Sequence, residues 1–149
     1  MVHEHEARAR NTEAPLIGIV DDEEAIRDSV SSLVRSAGFR ARTFPTAESF
    51  LESDHPHATG CMILDVRMPG MNGLELQRRL ADMRCPIPII FATAHADSKV
   101  QNAAIEGGAV AFLQKPFSDD ALFHALEKAL RDAKRGRPCL PAISELINT

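Results

Sequence analysis

Short apolar runs alternate with amphipathic stretches along most of this 149-residue chain. The runs have the length of buried strands, and the stretches between them repeat apolar residues at helical spacing. The predicted strands cover residues 16–20, 39–43, 61–65, 87–93 and 110–114. The predicted helices are one carrying Ile26 to Ala37, then 46–53, 74–83, 98–106 and one from Ser118 to about Arg135. Five such strand–helix units predict an α/β fold, a doubly wound five-stranded parallel sheet with five helices covering both faces.

Polar, chemically capable side chains follow four of these strands at the point where each strand ends. Asp21 and Asp22 come after the first run, Asp65 closes the third, Thr93 closes the fourth, and Lys115 follows the fifth. The carboxyl ends of parallel strands meet at one edge of an open sheet, where ligands bind. Carboxylate oxygens suit Mg²⁺, and a carboxylate can attack a phosphoryl group whose oxygens a lysine and a hydroxyl then contact. The pattern predicts a metal-and-phosphoryl site.

Each of these features also has an ordinary structural explanation. A pair of aspartates after a strand commonly caps a helix, and a lone aspartate before a Met-Pro turn is turn chemistry. A Lys-Pro dipeptide marks a helix boundary, and a threonine at a strand end is a good β-former. Their joint occurrence at successive strand ends is what favours a functional site.

Composition excludes several other classes of protein. A net charge of −4 gives no basic surface field for nucleic acid, and no apolar stretch approaches the ~20 residues of a membrane span. Residues 1–11 are polar, unlike a signal peptide. Cys61, Cys85 and Cys139 are odd in number and far apart, which indicates thiols in a reducing compartment. We therefore expect a cytoplasmic protein with no membrane partner and no direct contact with nucleic acid.

The chain resembles the receiver domain of two-component response regulators, and its motifs are most similar to those of the FixJ-type subfamily. The resemblance runs from about Leu16 to Leu130. It rests on five segments: Val20-Asp21-Asp22-Glu23, Leu64-Asp65-Val66-Arg67-Met68-Pro69-Gly70-Met71-Asn72-Gly73, Ala92-Thr93-Ala94, Gly108-Ala109-Val110-Ala111-Phe112-Leu113 and Lys115-Pro116-Phe117. It implies a flavodoxin-like sheet of strand order 2-1-3-4-5. We expect a stand-alone receiver over residues 15–135, a flexible extension over 1–14 and a tail over 136–149.

The resemblance also implies roles for the strand-end residues. Asp65 would accept a phosphoryl group from a sensor histidine kinase or a histidine phosphotransfer protein. The implied Mg²⁺ ligands are three carboxylates and one backbone carbonyl, those of Asp21, Asp22, Asp65 and Arg67. Lys115 would contact the phosphoryl oxygens, and its bond to Pro116 would be cis. The residues two positions beyond Asp65 and Thr93 are Arg67 and His95, and they would influence how long the acyl phosphate survives by controlling the access of water.

A switch of surface shape is the output that the resemblance implies. Thr93 would move toward the phosphoryl group, and the ring of Phe112 would turn inward behind it. The affected surface would be the fourth helix, fifth strand and fifth helix, which would bind an unidentified output protein or a second copy in a phosphorylation-dependent dimer. The chain would act as a signalling domain that catalyses only its own phosphorylation and dephosphorylation. The alternative is a phosphate sink or phosphorelay intermediate without an output of its own.

Two enzyme or carrier functions on a similar sheet are weaker alternatives. Haloacid-dehalogenase-type phosphatases need a second carboxylate two residues after the nucleophile, where this chain has Arg67. A flavin or dinucleotide carrier needs a glycine-rich phosphate loop after the first strand, where Asp21 and Asp22 stand instead.

Two features outside the core pattern, the residues after 135 and Phe123, leave alternatives open. FixJ-type regulators continue into a helix-turn-helix domain, and the roughly fourteen residues after 135 are too few for one, so DNA binding would require a longer protein. Those residues are either a disordered tail or a short docking helix from Pro141. Phe123 lies off the apolar stripe of the last helix, as an exposed interface residue or as an edge-of-core residue.

Overall fold

Five parallel strands form a single sheet in the computed structural model, which describes residues 14–135 and their side chains as far as Arg131. The strands are β1 (Leu16–Val20), β2 (Arg40–Phe44), β3 (Thr59–Leu64), β4 (Ile89–Thr93) and β5 (Ala111–Gln114). Their order across the sheet is β2-β1-β3-β4-β5, and every neighbouring pair is parallel. The predicted fold and strand order are confirmed.

Helices connect the strands, as predicted. They are α1 (Glu24–Ser36), α2 (Ala47–Glu52), α3 (Gly73–Asp82), α4 (Ser98–Glu106) and α5 (Asp119–Arg135), with a 3₁₀ turn over Pro56–Ala58 where a plain loop was expected. The bounds differ from the prediction by one to two residues at most ends. β4 begins two residues later than predicted because Pro86 and Pro88 lack the N–H groups that a ladder needs. β3 ends at Leu64, so Asp65 stands just beyond the strand.

Two hydrophobic cores lie on opposite faces of the sheet. The first packs α2, α3 and α4 against the sheet and includes Phe50, Leu76, Leu80, Phe91 and Ala104. The second packs α1 and α5 and includes Val30, Val34, Ile90, Leu122 and Leu126. Strands β1 and β4 are buried along their whole length, which explains why they read as continuous apolar runs. Strand β2 lies at the sheet edge and is buried only at Ala41 and Phe44.

Backbone hydrogen bonds hold the carboxyl ends of the strands in line. The amide of Asp21 donates to the carbonyl of Phe44 at 3.1 Å, and the amide of Asp65 donates to that of Val20 at 3.0 Å. The amide of Lys115 donates to the carbonyl of Thr93 at 2.8 Å. The predicted site residues are thus fixed by the main chain at one edge of the sheet.

Several peripheral predictions can be compared with the described part of the chain. Phe123 is half-buried and packs against the α1–α5 core, as an edge-of-core residue does. Cys61 is a free, buried thiol, as predicted, and Cys85 is buried as well. The predicted extension (except Ala14), Cys139 and the predicted tail lie outside the described residues.

None of the helices in residues 14–135 is long and apolar enough to cross a membrane.

Candidate functional site

Three carboxylates converge beyond the ends of β1 and β3. Asp21, Asp22 and Asp65 each present an oxygen within 4.8 Å of the other two. Asp21 and Asp65 are buried, at 3% and 6% exposure, whereas Asp22 faces solvent. A hard divalent cation such as Mg²⁺ prefers oxygen donors of this kind and keeps several waters, which the exposed side of the cluster leaves room for. The donor set therefore fits the metal that the sequence implied.

A lysine ammonium from the other half of the sheet neutralises part of the charge of this cluster. Lys115 follows β5, and its Nζ lies 2.6 Å from Oδ2 of Asp21 and 3.3 Å from Oδ2 of Asp65. Its side chain is only 9% exposed, so the ion pairs are shielded from solvent. The peptide bond between Lys115 and Pro116 is cis, as predicted.

Burial and charge act in opposite directions on the titrating groups of the site. Burial raises the pKa of Asp65 above its ordinary value, and the negative charge of Asp21 raises it further. The nearby Lys115 and a hydrogen bond with Thr93 lower it, without cancelling the rise. Burial alone would lower the pKa of Lys115, but the hydrogen bond and charges of the two carboxylates together hold it above its ordinary value. The lysine therefore stays a cation at neutral pH.

Helix α1 fixes the position of Asp21. Oδ1 of Asp21 accepts a hydrogen bond from the amide of Glu23 at 2.9 Å, and the backbone carbonyl of Asp21 accepts one from the guanidinium of Arg27 at 2.7 Å. The carboxylate thus has a defined orientation, with its second oxygen aimed at Lys115.

The predicted switch residues lie on β4 and β5. Thr93 is fully buried, and its Oγ1 accepts a hydrogen bond from the amide of His95 at 3.2 Å. Phe112 is half-buried and packs against the first core, with its ring centroid 6.1 Å from that of Phe91. The side chains of His95 and Arg67 are both exposed.

The β3–α3 loop, residues 65–72, is held closely against the protein. Val66 and Met68 are buried in the first core, which leaves Arg67 between them facing solvent. Gly73 begins α3 so close to the loop that a Cβ there would lie 2.2 Å from the carbonyl oxygen of Asp65. Only glycine fits at that position. Gly73 ends the segment from Leu64 on which the family resemblance rests, but nothing in the sequence signals this close approach.

Two further side chains that the sequence did not single out support this region. The carboxylate of Glu48, on α2, accepts a hydrogen bond from the amide of Met71 at 3.1 Å. The buried amide of Gln77, on α3, donates to the carbonyl of Ala104 on α4 at 2.9 Å. Each contact joins residues more than twenty positions apart, so no local spacing could have predicted either.

Known proteins match this chain over most of its length. The Response regulator receiver domain family matches residues 17–127. The response regulator protein TmoT of Ectopseudomonas mendocina is 45% identical over 136 residues, which cover 91% of this chain and 62% of that protein. The transcriptional regulatory protein FixJ of Bradyrhizobium diazoefficiens is 42% identical over 118 residues, which cover 79% of this chain and 58% of that protein. The chain thus spans about three fifths of the length of these relatives.

Solved structures agree with the sequence matches. The crystal structure of FixJ-N is 35% identical and superposes with a TM-score of 0.72, covering 87% of this chain and 98% of that one. The response regulator StyR is 43% identical with a TM-score of 0.76, covering 82% of this chain and 62% of that one. The family match, the identities and the shared sheet lead to one conclusion: the chain belongs to the response regulator receiver domain family.

Proposed function

We propose that Asp65 is a reversible phosphoacceptor whose state controls the protein contacts of this domain. The observation that carries the proposal is the bridging position of Lys115, whose ammonium contacts both Asp21 and Asp65 inside a cluster of three carboxylates. An ammonium placed beside a nucleophilic carboxylate can stabilise the extra oxygens of a phosphoryl group. If Lys115 served only in a structural ion pair, a third, exposed carboxylate, that of Asp22, would not be needed beside it.

The chemistry is a transfer between two acceptors. An oxygen of Asp65 attacks the phosphorus of a phosphohistidine on a kinase or a phosphotransfer protein. The new P–O bond forms an acyl phosphate as the P–N bond breaks. The electron pair of the P–N bond returns to the imidazole nitrogen, which takes up a proton from solvent and leaves as neutral imidazole. Asp21, Asp22, Asp65 and the backbone carbonyl of Arg67 would hold Mg²⁺, which neutralises charge on the phosphoryl oxygens when bound. Lys115 contacts a phosphoryl oxygen, and water later hydrolyses the acyl phosphate.

The switch begins with a hydroxyl group next to the phosphoacceptor. Thr93 is buried at the end of β4, and its hydroxyl is close enough to lower the pKa of Asp65, so it can follow a phosphoryl oxygen. Phe112 packs beside Phe91 with its ring only half-buried, which leaves it apolar area to gain by moving inward. A phenyl ring has no hydroxyl, so the signal is carried by packing alone. It alters the surface formed by α4, β5 and α5.

A protein partner reads that surface in our proposal. FixJ is named a transcriptional regulatory protein, and its matched region is 58% of its length. The receiver described here would pass its signal through contacts of the α4–β5–α5 surface, to an output protein, to further chain or to a second copy. A phosphate sink or relay is the alternative, and return of the phosphoryl group from Asp65 to a histidine phosphotransfer protein would favour it.

Incubation with acetyl phosphate and Mg²⁺, followed by intact mass measurement, tests the phosphoacceptor. We expect the wild type to gain one phosphoryl group and Asp65→Asn to gain none. Asp82→Asn is the matched control, because Asp82 is an exposed aspartate at the end of α3. No mass gain in the wild type, or an equal gain in Asp65→Asn, would contradict the proposal. Omission of Mg²⁺ should abolish the mass gain in both the wild type and Asp82→Asn.

A further inference from the structure

Three consecutive amides at the end of the β3–α3 loop are each held by a different part of the protein. The amide of Met71 donates to Glu48 of α2 at 3.1 Å, and the amide of Asn72 donates to Glu75 of α3 at 3.1 Å. The amide of Gly73 donates to the carbonyl of Val66, within the loop, at 2.8 Å. Among these three, the bond to Glu48 alone ties the loop to an element outside the loop and its own helix.

The backbone of the loop is shaped to receive that carboxylate. Gly70 has a φ of +76°, and a Cβ there would lie 2.5 Å from Oε2 of Glu48. The absence of a side chain at Gly70 lets the carboxylate approach the next amide, that of Met71. That bond and one from the backbone amide of Glu48 itself hold the pKa of the carboxyl below its ordinary value, so it is ionised at neutral pH.

Helix α2 is itself anchored to the other side of the carboxylate cluster. Its capping box pairs the side chains and amides of Thr46 and Ser49, which fixes the first turn that carries Glu48. The strand before it ends at Phe44, whose carbonyl accepts the amide of Asp21. Glu48 therefore links the chain that follows Asp65 to the chain that holds Asp21.

We propose that Glu48 is a positioning residue for the phosphoacceptor site, setting the distance between the β3–α3 loop and the Asp21 side of the cluster. Arg67 lies four residues before Met71 in this loop, so the same bond would limit the movement of its backbone carbonyl, the fourth implied ligand of the cation. The importance of this role for signalling rests on the proposed function. The role itself predicts two measurable properties, the geometry of the loop and the affinity for Mg²⁺. It needs no phosphoryl group to be measured.

The decisive comparison is between Glu48→Ala and Glu48→Gln. Both remove one negative charge, but glutamine keeps an acceptor oxygen for the amide of Met71. Glu52→Ala is the matched control, since Glu52 is an exposed acidic residue of the same helix. We expect Glu48→Ala to bind Mg²⁺ about threefold more weakly than Glu48→Gln, by titration calorimetry, because one exposed hydrogen bond contributes little more than that. The melting temperatures should stay within a few degrees of each other.

Hydrogen exchange at the amide of Met71 measures its hydrogen bond to Glu48 directly. Its amide should exchange several-fold faster in Glu48→Ala than in the wild type, with Glu48→Gln intermediate and Glu52→Ala unchanged. Equal Mg²⁺ affinity in the two Glu48 variants would show a charge effect only and would overturn the proposal, as would unchanged exchange at Met71. A wild type that binds Mg²⁺ but takes no phosphoryl group would refute the proposed function instead, and the two measurements would still decide on Glu48.

Discussion

Replacement of Gly73 by alanine tests how tightly the start of α3 is packed on Asp65. The new Cβ would lie 2.2 Å from the carbonyl oxygen of Asp65 and 3.0 Å from Cα of Val66. Both neighbours are backbone atoms, so no flexible side chain can move aside. The loop or the helix must shift by roughly 1 Å to restore an ordinary contact, and overpacking of this kind costs about 2–3 kcal/mol. A domain of this size should then melt about 5–10 °C lower.

The same substitution at Gly18 is the matched control. A Cβ there would meet its nearest neighbours at 3.4, 3.5 and 3.8 Å, which are ordinary contacts at a buried position. Gly18→Ala should therefore change the free energy of unfolding by less than about 1 kcal/mol, in either direction. Urea unfolding followed by circular dichroism compares both variants with the wild type.

The rate of phosphorylation by acetyl phosphate provides a functional measurement on the same variants. A shift of the loop at Asp65 should slow phosphorylation of Gly73→Ala, whereas Gly18→Ala should react like the wild type. If Gly73→Ala proved as stable as Gly18→Ala, the reasoning from the close approach would be refuted.

Three further predictions concern the charges and the buried amide around the site. Lys115→Met should lose about 1–2 kcal/mol of stability through the unpaired carboxylates, and Mg²⁺ should raise its melting temperature more than that of the wild type in thermal scans. Because the folded-state pKa of Asp65 is raised, its proton binds the folded state more tightly. The stability of wild type relative to Asp65→Asn should therefore grow as the pH falls through that pKa and be lost as it rises, in urea titrations at several pH values. Gln77→Ala should cost about 1–2 kcal/mol in the same urea assay, because the carbonyl of Ala104 loses a buried donor, while the exposed Gln101→Ala should cost less than about 0.5 kcal/mol.

The fold could be predicted because each element follows from a local pattern. The apolar runs of β1 and β4 reflect strands buried on both faces, and the alternating Arg40 to Phe44 reflects an edge strand. The ends of the elements were harder to predict. The apolar run of β4 begins at Ile87, but the strand begins only at Ile89, after Pro88. Hydrogen-bond ladders, and not hydrophobicity, set those ends.

The convergence of the site residues also follows from the sequence, through topology. Asp21, Asp65, Thr93 and Lys115 end or follow strands of one parallel sheet, so the sheet order alone places them at one edge. The supporting contacts of Glu48 and Gln77 could not be predicted in this way. They depend on how far one helix reaches toward another loop or helix, which is a property of packing and leaves no periodic signal in the chain.

The unequal sharing of one ammonium between two buried carboxylates explains why this site is suited to accept a charged group. Lys115 lies 0.7 Å nearer to Asp21, at 2.6 Å, than to Asp65, at 3.3 Å. Asp65 is therefore the less well neutralised of the two, and burial already raises its pKa. Its ionised form is kept at some cost to stability, and any cation that enters the cluster relieves that cost. In the proposed phosphorylated state, a bound metal ion and the phosphoryl group would stabilise one another, so the lifetime of that state should depend on the metal.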